Sequence, residues 1–166
     1  MNRGTTEVYT GLKRIGVDMV ASLPCVNLRE LLTLIDSDKG IKHVPISREE
    51  EGIGICAGAF MGGMKPAILM QNSGLGNSIN ALASLDLLYG IPVLMILSHR
   101  GVEGEEVSAQ VPMGNLTGPF LRAMGIPTYR PIIGKAADAI REGWERAIAE
   151  HTPVAILLDI SFWRSV

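Results

Sequence analysis

Two short runs, PAILM at residues 66–70 and PVLMIL at residues 92–97, are apolar at every position. A strand with one wet face alternates apolar and polar side chains. A strand covered on both faces does not, and such strands belong to parallel sheets sandwiched between helices. VAILLD at residues 154–159 reads as a further strand near the C-terminus. Parallel neighbours cannot be joined by a tight turn, so each strand needs a crossover, usually a helix. The chain is therefore expected to be α/β.

The segments between these runs carry the signals that such a fold requires. Val8, Leu12 and Ile15 recur at helical spacing across residues 5–16, and residues 18–23 form a short strand ending at Pro24. Asn27 with Glu30 reads as a capping box, followed by the buried stripe Leu28, Leu31, Leu32 and Ile35. Residues 41–46 read as a short buried strand, and Ser47 with Glu50 as the cap of the next helix. Further helices are expected at 79–89, 116–124 and 135–150, with a strand at 128–131. About six strands alternating with helices predict one domain over residues 1–166, a three-layer α/β/α fold with a parallel sheet.

Composition narrows the function classes. With 47% hydrophobic and 19% charged residues and a mean hydropathy of +0.26, the chain is unusually apolar for a soluble domain. No apolar run reaches the roughly 18 residues of a membrane span, so the excess is assigned to subunit contacts. A net charge of −2 leaves no basic footprint for nucleic acid. Cys25 and Cys56 belong to no CxxC or Cys/His cluster, and the N-terminus lacks a signal-peptide pattern, so a reducing cytoplasm is the expected location.

In open α/β sheets, ligands bind at the C-terminal ends of the strands. The helix expected after residues 41–46, EEEGIGICAGAFMGG, is apolar or small on every side and is therefore expected to be buried. Glu50 shares a face of it with Gly54, Ala57, Gly58 and Met61, while Glu49 lines up with Ile53, Cys56 and Phe60 toward the sheet. Taken alone, Glu50 is either a simple cap or a functional carboxylate. Residues 23–27 place Cys25 before a helix N-terminus, which lowers a thiol pKa; with no His nearby it reads as packing. Residues 71–77 place Ser73, Gly74, Gly76 and Asn77 ahead of a helix, where free N–H groups can hold an anion, but they match neither the phosphate loop nor the dinucleotide fingerprint. Residues 98–114 form a long loop with His99 and Arg100 at its root, Glu103, Glu105 and Glu106 in its middle, and Gln110 toward its end. Arg100 offers a planar fork to an oxyanion and His99 a donor or acceptor near neutral pH; a solvated loop with a surface salt bridge is the alternative. His43 and His151 are read as structural.

The ordered set SREEEGIGICAGA, MQNSGLGN, SHRG and QVPMG resembles the pyrimidine-binding domain of thiamine-diphosphate enzymes. Within that group it is similar to sulfopyruvate decarboxylase alpha subunits and to the N-terminal half of phosphonopyruvate decarboxylases. In the family a Glu ends the second strand seven residues before an Ala, and Glu50 stands in that register before Ala57, ahead of Glu49 and Glu51. The resemblance implies a thiamine-diphosphate-binding fold and a 2-keto acid decarboxylase, most simply one taking sulfopyruvate to sulfoacetaldehyde and CO2 in coenzyme M biosynthesis. It makes Glu50 the catalytic proton relay to the cofactor's aminopyrimidine, in an apolar setting expected to raise its pKa. Glu50, Pro24 and Gln71 are expected at the cofactor, and for a dianionic substrate loop position and donor type point to Ser73, Gly74, Asn77, His99, Arg100 and Gln110. The chain has no GDG, the motif of the domain that binds diphosphate through Mg2+ in this family. The resemblance thus implies a separate beta subunit holding the Mg2+, in a hetero-oligomer that admits contacts between alpha chains. Phosphonopyruvate decarboxylases carry Trp-Arg-Gly and Gln-His where this chain has His99-Arg100-Gly101 and Gln110-Val111, which counts against a phosphonate substrate. The competing readings are a phosphonopyruvate or acetolactate-type subunit, and a non-catalytic α/β binding or regulatory subunit.

Overall fold

The two continuous apolar runs lie side by side in the middle of a parallel sheet. The computed structural model describes residues 2–164. Its strands are β1 (Met19–Ser22), β2 (Lys42–Pro45), β3 (Pro66–Gln71), β4 (Leu94–His99), β5 (Thr128–Tyr129) and β6 (Val154–Asp159). All pair in parallel, in the order β2-β1-β3-β4-β6-β5. The helices are α1 (Arg3–Ile15), α2 (Arg29–Ser37), α3 (Glu49–Met61), α4 (Asn72–Ala81), α5 (Val111–Ala123), α6 (Ala136–Glu150) and a short α7 (Ile160–Trp163).

Alternation along the strands divides the core into two layers. Val20, Leu69, Leu94, Ile96 and Ile156 face α1, α2 and α6, where Leu12, Leu31, Ile35 and Ile140 are fully buried. Ile68, Met70, Met95 and Leu97 face the opposite way, toward Ile53 and Cys56 of α3, Leu75 of α4 and Leu121 of α5. Apolar residues are therefore needed at successive positions, which is why these strands read as unbroken runs.

The order of the strands locates the site. The chain leaves β1 outward to β2, then returns across it to β3 on the other side. Connections reverse direction between β1 and β3, and ligands in open α/β sheets bind at such a reversal. α3 makes the return journey over this crevice. A Cβ at Gly52 would come within 2.6 Å of the Cδ1 atoms of Ile46 and Ile68, so a glycine lets the helix sit close to the sheet.

Several boundaries differ from expectation. β2 is an edge strand with half-exposed and exposed residues, not a buried one, because it pairs on one side only. Asn27 lies in a 3-10 turn (Val26–Leu28), α2 begins at Arg29 without a side-chain cap, and Glu30 instead accepts from the backbone N–H of Asn2 at 2.8 Å. Residues 71–77 are not a loop before a helix, since α4 begins at Asn72 immediately after β3 and continues through a π-helical stretch, Leu82–Leu87. Ser, Gly and Asn are poor helix formers, and here tertiary packing overrides their propensity. β4 runs on to His99, and α5 starts at Val111, five residues ahead of the expected helix. His151 takes a left-handed conformation (φ 51°) as the C-cap of α6.

Candidate active site

α3 opens with three consecutive glutamates that point three ways. Glu49 is 5% exposed, lies against Gly74, and accepts from Asn77 Nδ2 at 2.9 Å. Glu51 accepts from the backbone N–H groups of Ser47 and Arg48, both at 3.3 Å, and so performs the capping expected of Glu50. The N-cap residue is Arg48, not Ser47. Glu50 is thereby released to face outward. Its Oε1 accepts from Arg48 Nε at 2.5 Å, and its Oε2 is buried without a hydrogen-bond partner.

Two expectations about this helix are corrected. α3 is buried only on its sheet side: Ile55 and Met61 are 38% and 75% exposed, and a Cβ added at Gly54 or Gly58 would meet nothing within 4 Å. In this setting the Glu50 pKa lies below the ordinary carboxylate value, not above it. The N–H of its own residue, and then the Arg48 guanidinium, favour the charged form more strongly than partial burial opposes it.

The register of the central strands sets a second polar group at the C-terminal edge of the sheet. Gln71 is paired with Ser98 across β3 and β4, and both end at the C-terminal edge. Gln71 Nε2 donates to Ser73 Oγ at 3.0 Å and to Gln110 Oε1 at 2.8 Å. Asn27 Nδ2 donates to Ser98 Oγ at 3.0 Å, and the Cys25 thiol lies 3.7 Å from Gln71 Oε1. An adjoining cavity of about 390 Å3 is lined by Pro24, Cys25, Val26, Arg29 and Leu32. Of the residues expected at the site, Pro24, Gln71, Ser73 and Gln110 thus gather at one edge. Gly74 and Asn77 turn away from it, onto Glu49.

His99 and Arg100 are engaged with protein groups. His99 is buried at the end of β4, where register pairs it with Asp159 of β6. Its Nδ1 is 2.9 Å from Asp159 Oδ1 and its Nε2 is 3.3 Å from the Gly114 carbonyl. Burial pushes the Asp159 pKa up, but hydrogen bonds from His99 and Arg130 outweigh it, leaving the carboxyl below its usual value. The Arg100 fork closes on Glu105, with Nε and Nη2 at 2.6 and 2.7 Å from the two carboxylate oxygens. Glu105 also accepts from the N–H groups of Gly101 and Val107, and the Arg100 guanidinium holds its pKa far below the usual range. Asn72 clamps the root of this segment through the Arg100 N–H and carbonyl and Thr117 Oγ1. At Gly101 (φ 76°) a Cβ would fall 2.0 Å from the Gln110 carbonyl, so the two ends of the segment cross in contact. What reads as a long loop is pinned at both ends.

Sequence reasoning missed two polar residues at this edge and one buried carboxylate behind α3. Asn27 was masked by its resemblance to a cap, and Asn72 by the apparent loop. Asp86 carries no motif, yet it is fully buried in the π-helical stretch with neither oxygen hydrogen-bonded. Burial pushes its pKa up to about 7, and burial, aided by Asp86, pushes the Cys56 thiol up to about 12.

Comparison with known proteins gives this geometry a context. Residues 2–118 match the N-terminal TPP binding domain of thiamine pyrophosphate enzymes. The sulfopyruvate decarboxylase subunit alpha of Methanothermobacter thermautotrophicus is 54% identical over 157 residues, which is 94% of this chain and 95% of that one. Its counterpart in Methanococcus maripaludis is 50% identical over 157 residues, 94% of each chain. Benzoylformate decarboxylase from Polynucleobacter necessarius superimposes with a TM-score of 0.77 at 17% identity. All of this chain is covered, but only 31% of that one, and the likeness is one of fold. Among the described residues, no helix is long and apolar enough to cross a membrane.

Proposed function

The chain belongs to the family of sulfopyruvate decarboxylase alpha subunits, within the thiamine pyrophosphate enzymes, and on that footing we propose that it supplies the pyrimidine-binding half of a decarboxylase site, with Glu50 as its proton-exchanging carboxylate. The reaction is the thiamine-diphosphate-dependent conversion of sulfopyruvate to sulfoacetaldehyde, with loss of CO2 and uptake of one proton. The observation that carries the role of Glu50 is its place: a half-buried carboxylate at the head of a helix face left bare at Gly54 and Gly58, with Oε2 covered by this chain and given no hydrogen bond from another residue. A polar atom left so costs stability unless another molecule satisfies it.

The residues present fit the cofactor. Bare positions at Gly54 and Gly58 leave room beside Glu50 for a flat ring or an approaching backbone. Glu50, Pro24 and Gln71 are the residues that would hold the aminopyrimidine end. Mg2+ and the diphosphate fall to a beta subunit, since this chain lacks the GDG segment. When bound, thiamine diphosphate supplies a sink for the electrons left as CO2 departs.

This chain's part is proton exchange and orientation. Glu50 would hold the aminopyrimidine end and could exchange a proton with it, and a partner domain covering α3 would remove water and move the Glu50 pKa up from the value in the free chain. Ser73 and Gln110, each held by an N–H of Gln71, offer a hydroxyl and an amide donor for the substrate's carboxylate or sulfonate. His99, Gly74 and Asn77 act behind them by fixing α5, α4 and Glu49; Arg100 reaches substrate only on leaving Glu105.

The test is sulfopyruvate decarboxylation by this chain co-expressed with a GDG-bearing partner, with thiamine diphosphate and Mg2+ added. Activity in the wild-type pair, with a loss of roughly 100-fold or more in kcat for Glu50→Gln, is expected. Full activity of the Glu50→Gln pair would remove Glu50 from the mechanism, and no activity in a cofactor-bound wild-type pair would point to another 2-keto acid.

A further inference from the structure

The segment Ser47-Arg48-Glu49-Glu50-Glu51 contains a device that the proton-relay reading leaves unexplained. Side chains two apart on a helix do not face each other. Arg48 nevertheless reaches Glu50, because Arg48 is the N-cap residue and its backbone is extended (φ −144°, ψ 142°). That extended conformation is itself held by Glu51, whose carboxylate takes the N–H groups of Ser47 and Arg48. Glu49 is turned to Asn77 and Glu51 to the backbone, and among the described residues Arg48 is the cation paired with Glu50. We propose that Arg48 is a positioning residue for Glu50, holding Oε1 and with it the rotamer that sets Oε2 against the protein, and that it withdraws from Oε1 when Glu50 engages the cofactor.

The inference rests on the reading of Glu50 as the relay. A carboxylate with a guanidinium on one oxygen is held ionised, which suits the free chain but not a group that must share a proton. Arg48 is 69% exposed and makes one hydrogen bond to the half-buried Glu50, so the guanidinium sits largely in water, where such contacts are weak. It is strong enough to select a rotamer and weak enough to be displaced. Covering the open face of α3 favours release, because a guanidinium with most of its surface in water resists burial. In this picture Glu51 orders Arg48, Arg48 orders Glu50, and Glu50 does the chemistry.

The primary experiment follows the side-chain carboxyls of the full-length free chain by carbon NMR across pH, using Glu50→Gln to assign the Glu50 resonance. Arg48→Gln is expected to move the Glu50 midpoint upward, and Arg48→Lys to restore part of the shift. In the assembled decarboxylase, thiamine diphosphate affinity is then measured against pH. Its fall at rising pH is expected to move to higher pH in Arg48→Gln. An unshifted Glu50 midpoint in Arg48→Gln, with the fold intact by circular dichroism, overturns the role of Arg48 and leaves the relay untouched. Unaltered turnover in the Glu50→Gln complex overturns the relay itself, whatever Arg48 does to the titration.

Discussion

The side chain of Glu49 rests on the bare Cα of Gly74, so closely that a Cβ there would lie 2.4 Å from Glu49 Cγ. This contact, with the hydrogen bond from Asn77, brings the first turns of α3 and α4 together and fixes the residue next to Glu50. Gly74→Ala therefore forces the buried carboxylate to move. Overpacking of this kind costs about 1–3 kcal/mol. Urea unfolding is expected to show a lower midpoint, and decarboxylase activity of the assembled enzyme to fall with it. An unchanged midpoint would mean that the seam between the helices yields more easily than its geometry indicates.

Gly58 provides the contrasting case. It lies on the same helix as Glu49 but faces open space, so an added methyl group strikes nothing in this chain. Gly58→Ala is expected to stabilise the isolated chain by roughly 0.5–1 kcal/mol through helix propensity. If a partner subunit packs on this face, the same change weakens assembly. Thermal unfolding of the free chain and a sedimentation titration with the partner give the two readouts. Stabilisation with unaltered association would place the subunit contact elsewhere.

The segment after β4 is predicted to be ordered by Glu105. Four donors converge on its carboxylate: two from the Arg100 fork and the N–H groups of Gly101 and Val107. Glu105→Gln removes the charge that Arg100 neutralises and replaces an acceptor oxygen by a donor. Amide hydrogen exchange at Gly101 and Val107 is expected to accelerate, while amides of β4 keep their protection. Because the depressed Glu105 pKa contributes stability that begins to fall once the unfolded carboxyl would take up a proton, acidification below about pH 4 should start the same loosening in the wild-type chain, and it completes only far below, where the folded carboxyl itself is protonated. Unchanged exchange in Glu105→Gln would show that Asn72 and the Gly101 crossing suffice.

Much of this arrangement is legible in the sequence, and the failures share a cause. β3 and β4 were readable because burial on both faces leaves an apolar run, and β6 because it repeats that signal. The edge positions Gln71, Ser73 and Gln110 followed from strand ends. What failed was every inference that a polar residue near a helix start must cap it. Asn27 bonds to Ser98 across the sheet edge, and Glu51, not Glu50, closes the start of α3. One-dimensional spacing offers several carboxylates or amides for the same duty, and only packing decides which is free. QNSGLGN was misread for the converse reason: its glycine at position 74 is there to receive Glu49, not to form a loop.

Asp86 gives a prediction that no motif could have suggested. Its carboxyl is fully buried on the π-helical stretch, neither oxygen has a partner, and the nearby titratable group on α3 is the Cys56 thiol. An Asp in the unfolded chain titrates near pH 4, whereas in the folded chain burial raises the value to about 7. Between those limits the native state keeps a proton that the unfolded state has released, so stability falls as pH rises from about 4 to about 7 and levels off above. The full difference is worth about 4 kcal/mol. Asp86→Asn preserves shape and removes the titration. Urea unfolding of both proteins at intervals from pH 5 to 8.5 is expected to show the variant gaining on the wild type as pH rises, since all other titrating groups are shared. Curves that stay parallel across that range would mean that Asp86 finds a partner or water in solution. A widening gap would make the buried carboxyl a standing cost of the fold at neutral pH, borne at the helix that packs against α3.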